Sequence, residues 1–244
     1  MITRRPAHER FHTRLGWLDS WHSFSFGSHH DPGHMGFGVL RVINEDRVAP
    51  GQGFAMHGHR DMEIMSYVVD GALAHQDSMG NGSTIVPGDI QRMSAGTGVR
   101  HSEHNPHADE PVHFLQIWLL PKTHGIAPSY GQRHISVDDK RDRLQLVASD
   151  RPHDQAVTLH SDVDVYASVL SSGRSVHLPL ARSGRAWVQV ISGRVELHTS
   201  ADATTTHTDV ATLGPGDGAA IVAHALALTA TASAELLVFD LGLG

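Results

Sequence analysis

Gly51-Gln52-Gly53-Phe54-Ala55-Met56-His57-Gly58-His59-Arg60-Asp61-Met62-Glu63 and, further on, Met93-Ser94-Ala95-Gly96-Thr97-Gly98-Val99-Arg100-His101-Ser102-Glu103-His104-Asn105 decide the fold of this chain. Side chains two apart on a β-strand leave the same face. His57 and His59 therefore aim two imidazoles at one point, and His101 and Glu103 add an imidazole and a carboxylate. Inside a barrel whose strands face each other, the four groups converge on one ion. Three neutral ring nitrogens and a carboxylate suit a divalent transition metal, whereas Ca²⁺ and Mg²⁺ prefer oxygen ligands.

The flanking sequence reads as strands separated by turns. Ile64–Val69 is rich in β-formers, and Asp70-Gly71 is a hairpin turn. Leu73–Asp77, Ser83–Val86 and Ile90–Met93 are further short strands, divided by Gly80-Asn81-Gly82 and Pro87-Gly88-Asp89. Val112–Leu120 is a long apolar strand. Upstream, Trp17–Trp21, Phe24–Phe26 and Phe37–Ile43 read as strand pieces. The glycines of Ala95-Gly96-Thr97-Gly98 allow close backbone approach to a ligand. No amphipathic helix stands out, so the fold class is all-β, a sandwich or barrel with few short helices.

A chain of 244 residues holds one large all-β domain or two of about 120 residues each. The second half echoes the first. Val190-Ile191-Ser192-Gly193 matches Val68-Val69-Asp70-Gly71, and Pro215-Gly216-Asp217 matches Pro87-Gly88-Asp89. Counting from these anchors puts Pro179, Ala181, Thr229 and Thr231 where the first copy has its ligands, so the second copy has lost the metal site. The expected division is residues 1–125 for a metal-binding domain, 126–143 for a polar linker and 144–244 for a degenerate second domain. A net charge of −7 with only isolated basic clusters argues against nucleic-acid binding. No apolar run is long enough to span a membrane. The chain has no cysteine, which removes disulfides and thiolate ligands and fits a reducing cytoplasm, as does an N-terminus without a signal-peptide core.

The spacing Gly51-x5-His57-x-His59-x3-Glu63 followed by Gly88, His101 and Asn105 resembles the paired motifs of the cupin superfamily. More specific stretches resemble the pirin-like proteins: Gly16–Trp21, Met35–Phe37, Leu40–Asn44, His57–Glu63, His75–Asn81 and Met93–Glu103. Ser94, and the four residues between Gly96 and His101, depart from the general cupin pattern and look like the pirin version of it. The resemblance implies a bicupin, two jelly-roll barrels facing each other, the first active and the second degenerate. It also implies His57, His59, His101 and Glu103 as ligands of one divalent metal. That metal is expected to be iron(II), with Mn, Co, Ni, Cu and Zn able to occupy the same donors. Glu63 stands at the usual cupin carboxylate position and is left as an alternative ligand or base beside Glu103.

The variant resembles the short bacterial members associated with quercetin 2,3-dioxygenase activity. This implies ring opening of a flavonol by O₂ with loss of carbon monoxide, with Glu103 or Glu63 as base. Phe26, Phe37, Phe114 and Trp118 are candidates to line the pocket for such an aromatic small molecule. The alternative is a non-enzymatic metal-binding regulator or redox sensor that docks on a protein partner. Two barrels burying each other's open faces favour a monomer.

Overall fold

A computed structural model describes residues 1–200 and 209–243. The first barrel is a sandwich of two antiparallel sheets. The larger runs Ser129–His134, Asp89–Ser94, Glu63–Asp70, Val112–Leu119, Leu40–Val48, Leu18–His22, Phe11–Arg14. The smaller runs Gly53–His59, Val99–His104, Leu73–Asp77, Gly82–Ile85. Leu73 and Ile85 of the small sheet share a buried cluster with Leu18, Val48, Val68, Val112 and Phe114 of the large one. That cluster closes the far end of the sandwich and leaves the near end for the histidines.

Alternate residues of the large sheet face the other way. Ile43, Met65, Tyr67, Ile90, Leu115, Ile117 and Leu119 pack against Val165, Trp187, Leu237 and Phe239 of the second half. The next residues along those strands, Val188, Val190, Leu236 and Val238, turn into the second barrel's own core. Both facing sheets are thus buried on two sides, which is why Glu63–Asp70 and Val112–Leu119 read as nearly continuous apolar runs rather than as alternating ones. The molecule is two β-sandwiches packed face to face.

Four elements depart from the sequence reading, the first being Phe24–Phe26, where only Phe26 forms an isolated bridge, to His29. Ile2–Arg5 pairs with Gly218–Val222 and so covers an edge of the second half's sheet, although it lies within the stretch expected to form the first domain. The stretch 126–143, expected as linker, contributes strand Ser129–His134 to the first barrel and a one-turn helix, Val137–Lys140, capped by Ser136 and Asp139. Its polarity reflects an edge strand, exposed along part of its length. The strand read over Phe37–Ile43 runs instead over Leu40–Val48, because Gly36 and Gly38 take positive φ and turn the chain ahead of it.

The interface between the sandwiches carries a buried polar contact. Lys140 Nζ donates to Tyr67 Oη at 2.9 Å, Tyr67 Oη donates to Glu235, and Lys140 lies 3.7 Å from Glu235. Burial and the neighbouring Glu235 carboxylate hold the Tyr67 phenol well above its usual range, so it stays a neutral donor. Removing that hydroxyl leaves a buried ammonium and a half-buried carboxylate each short of a partner. Tyr67→Phe should lower the unfolding free energy by about 1–3 kcal/mol in denaturant titration.

Candidate metal centre

Strand Val99–His104 is central in the small sheet, flanked by Gly53–His59 and Leu73–Asp77. On one side His101 faces His57 and Val99 faces His59; on the other His101 faces Asp77 and Glu103 faces His75. The register slips between His101 and Glu103, where Glu103 pairs with Phe54. Gly53 is required beside this bulge, since a Cβ there would stand 2.2 Å from the Glu103 carbonyl oxygen.

The three imidazoles meet at their Nε2 atoms. His101 Nε2 lies 3.0 Å from His59 Nε2 and 3.1 Å from His57 Nε2. Two nitrogens bound at right angles about 2.1 Å from one ion stand about 3.0 Å apart, and about 3.4 Å at a tetrahedral angle. The spacing therefore fits adjacent positions of an octahedral or square-based site. The proton positions agree. His57 Nδ1 donates to the Ala55 carbonyl at 2.8 Å, leaving its Nε2 lone pair free. Burial, with His57 beside it, lowers the His59 pKa to about 4. Burial, then His57, His59 and His75, lowers that of His101 to about 3. Both rings are neutral donors at physiological pH.

Glu103 is buried next to this group. Ser66 Oγ donates to Oε1 at 3.1 Å and Gln116 Nε2 to Oε2 at 2.8 Å, and burial raises its pKa. Two overlapping sets of donor atoms lie within 4.8 Å of one another: His57, His59 and His101, and His75, His101 and Glu103. Among the described residues both belong to the first barrel. In the second, the corresponding ladder pairs Ser175–Pro179 with Ala225–Thr229, and His177 faces Ala227.

Glu63 is not brought to this group. It shares the strand face of Met65 and Tyr67, which looks into the other sandwich. Its Oε2 accepts from Ser94 Oγ and from the backbone N–H of His160, both at 3.0 Å. The carboxylate at the usual cupin position thus holds the two halves together. Asn105 is likewise structural, donating to the Val48 and Glu110 carbonyls. Gly96 serves close approach of the chain to itself: a Cβ there would stand 2.1 Å from the Ile126 oxygen.

A cavity of ≈ 240 Å³ opens onto His57, His59, His101 and Glu103, a little under the usual size of small-molecule sites. Phe26 and Trp118 line it as expected, and Phe54 joins them. Phe37 and Phe114 do not: Phe37 packs on the interface between the sandwiches, and Phe114 fills the closed end of the barrel. Trp118 stands edge-on to His59, ring centroids 4.9 Å apart.

The wall opposite the histidines is polar, and sequence reasoning missed it. His22, Asn44, Gln116 and Ser66 sit side by side across four strands. Ser20 and Asp46 form the neighbouring pair, joined by a short hydrogen bond from Ser20. Asp46 is fully buried, and burial, against the Ser20 hydrogen bond and with Glu103 and Glu45 nearby, raises its pKa to about 7. The alternation of Leu18, Ser20, His22 and of Asn44, Asp46, Val48 was the available signal.

The family called Pirin matches residues 4–119, and the family described as quercetinase C-terminal cupin domain matches residues 146–241. A quercetin 2,3-dioxygenase from Escherichia coli K12 is 44% identical over 99% of both chains. The chain belongs to the pirin family. Among solved structures, the bacterial pirin YhhW of Escherichia coli, crystallised with nickel(II), superposes with a TM-score of 0.89 at 41% identity over 100% of both chains. YhaK, also from Escherichia coli, gives 0.75 at 28% identity, covering 91% of this chain and 93% of its own. The His/His/His/Glu group of this pirin fits a cupin metal.

The two depressed imidazoles set a pH dependence for the metal-free protein. The unfolded rings protonate near pH 6.5, the folded ones only near 4 and 3. Between these limits the unfolded state binds more protons, so stability is lost as pH falls below about 6.5. The melting temperature of metal-free protein should fall between about pH 7 and 4, and the double variant His59→Gln/His101→Gln should show a shallower fall.

Proposed function

We propose that this pirin is a metal-dependent dioxygenase that opens the heterocyclic ring of flavonols such as quercetin with O₂ and releases carbon monoxide. The observation that carries the reading is the convergence of three imidazoles, with buried Glu103 beside them, at the end of a cavity lined by aromatic rings. The quercetin 2,3-dioxygenase name of the 44% identical relative supports the same chemistry.

His57, His59, His101 and Glu103 would hold the ion, for which we propose iron(II). Bound there, it would supply Lewis-acid and O₂ chemistry. The chain's own residues do the rest. Phe26, Phe54 and Trp118 hold a flat ring system and exclude water. Trp118 Nε1 and Gln116 Oε1, on two cavity-lining residues, are buried without a protein partner. Glu103, its pKa raised by burial, takes the proton of the substrate's acidic hydroxyl. Asp46 lines the same cavity and exchanges a proton near neutrality.

The test is anaerobic reconstitution with each divalent metal, followed by quercetin and O₂, with carbon monoxide as readout. Metal-dependent release lost in His57→Ala is expected. Glu103→Gln should lower the rate about a hundredfold or more. Glu63→Gln should change it by no more than a few-fold while lowering the melting temperature, because Glu63 faces the other sandwich. Metal binding without carbon monoxide release would overturn the flavonol assignment and favour a binding role.

A further inference from the structure

His75 and Asp77 have no part in the chemistry above, yet both side chains are fully buried directly behind His101. They stand on strand Leu73–Asp77, opposite Glu103 and His101 respectively. His75 Nδ1 lies 3.5 Å from His101 Nδ1, and His75 Nε2 lies 3.4 Å from Asp77 Oδ2. These separations are long, but neither ring nitrogen of His75 has another hydrogen-bond partner, and buried polar groups are rarely left unpaired. Asp77 is itself fixed. Its Oδ1 accepts from the backbone N–H groups of Met79 at 2.9 Å and Asn81 at 3.0 Å, and its Oδ2 from Asn81 Nδ2 at 2.8 Å.

We propose that Asp77 and His75 form a two-step relay that fixes the tautomer of His101 and so its ability to bind a metal. An acceptor at Asp77 puts the His75 proton on Nε2. The His75 Nδ1 lone pair then faces His101 and puts that ring's proton on Nδ1. His101 Nε2 is left with its lone pair pointing at His57 and His59. His75 and Asp77 are positioning residues, acting through His101. The assignment rests on the reading of His101 as a metal ligand, but its tautomer step is testable without metal.

The deciding variant is Asp77→Asn, which changes no volume. The Met79 and Asn81 N–H groups keep the amide oxygen at the Oδ1 place and turn the NH₂ toward His75 and toward the Asn81 side chain, whose amide turns over to accept one of its two protons. That donor needs a lone pair on His75 Nε2, so the proton moves to Nδ1. His101 must then accept on Nδ1 and carry its proton on Nε2. Nitrogen-15 NMR of the metal-free protein should show His101 protonated on Nδ1 in the wild type and on Nε2 in Asp77→Asn. Chelator competition with nickel(II) and iron(II) should show affinity lower by about 10- to 100-fold.

His75→Gln retains an acceptor toward His101 and a donor toward Asp77, and should recover most of the affinity that His75→Leu loses. Wild-type affinity and an unchanged His101 tautomer in Asp77→Asn would overturn the relay. So would complete loss of metal in His75→Leu with no loss in Asp77→Asn, which would make His75 a ligand. If the wild type binds neither metal, the metal reading fails, and the NMR result alone decides whether the relay exists.

Discussion

Everything at the centre of this protein follows from gathering three imidazoles at one barrel mouth, with His101 Nε2 about 3 Å from the Nε2 atoms of His57 and His59. Three lone pairs pointed at one spot repel each other. Only protons or a cation relieve that, and burial together with the neighbouring rings suppresses protonation of His59 and His101. A carboxylate beside them, Glu103, would offset one of the two charges of a divalent ion. The arrangement is unfavourable for the protein alone, so rigid surroundings must impose it. The small sheet does so with a central strand, a bulge and a glycine at the close contact.

The large sheet is the platform. Buried on both faces, it uses one set of alternate residues to bind the second sandwich and the other to build the cavity wall. This gives the second barrel a structural role. Its ladder pairs His177 with Ala227 and shows no metal-capable cluster among the described residues. It covers Met65, Tyr67, Leu115 and Ile117, which would otherwise form an exposed apolar surface. Glu63 shows how closely the two tasks are joined: a carboxylate one strand face away from the cavity binds the backbone of His160 in the other half.

The sandwich also separates recognition from chemistry. The histidines come from the small sheet. The polar row of His22, Asn44 and Gln116, with Ser20 and Asp46 beside it, comes from the large one. The cavity lies between the two walls, which are joined where Ser66 and Gln116 of the large sheet donate to Glu103 of the small one.

The sequence by itself determined the all-β class and the presence of two cupin-like halves. Turn chemistry and two-residue alternation are local properties, and His57-x-His59 and His101-x-Glu103 show theirs openly. It did not determine on which face Glu63 points, since a strand buried on both sides has no polar side to mark its register. Nor did it reveal that Ile2–Arg5 crosses to the other sheet or that Ser129–His134 completes the first, because edge pairing depends on which backbone groups remain unpaired after folding. The polar wall and the His75–Asp77 contact were visible only as scattered residues. Strands distant in sequence bring them together, and only the tertiary register decided which of 21 histidines face one point.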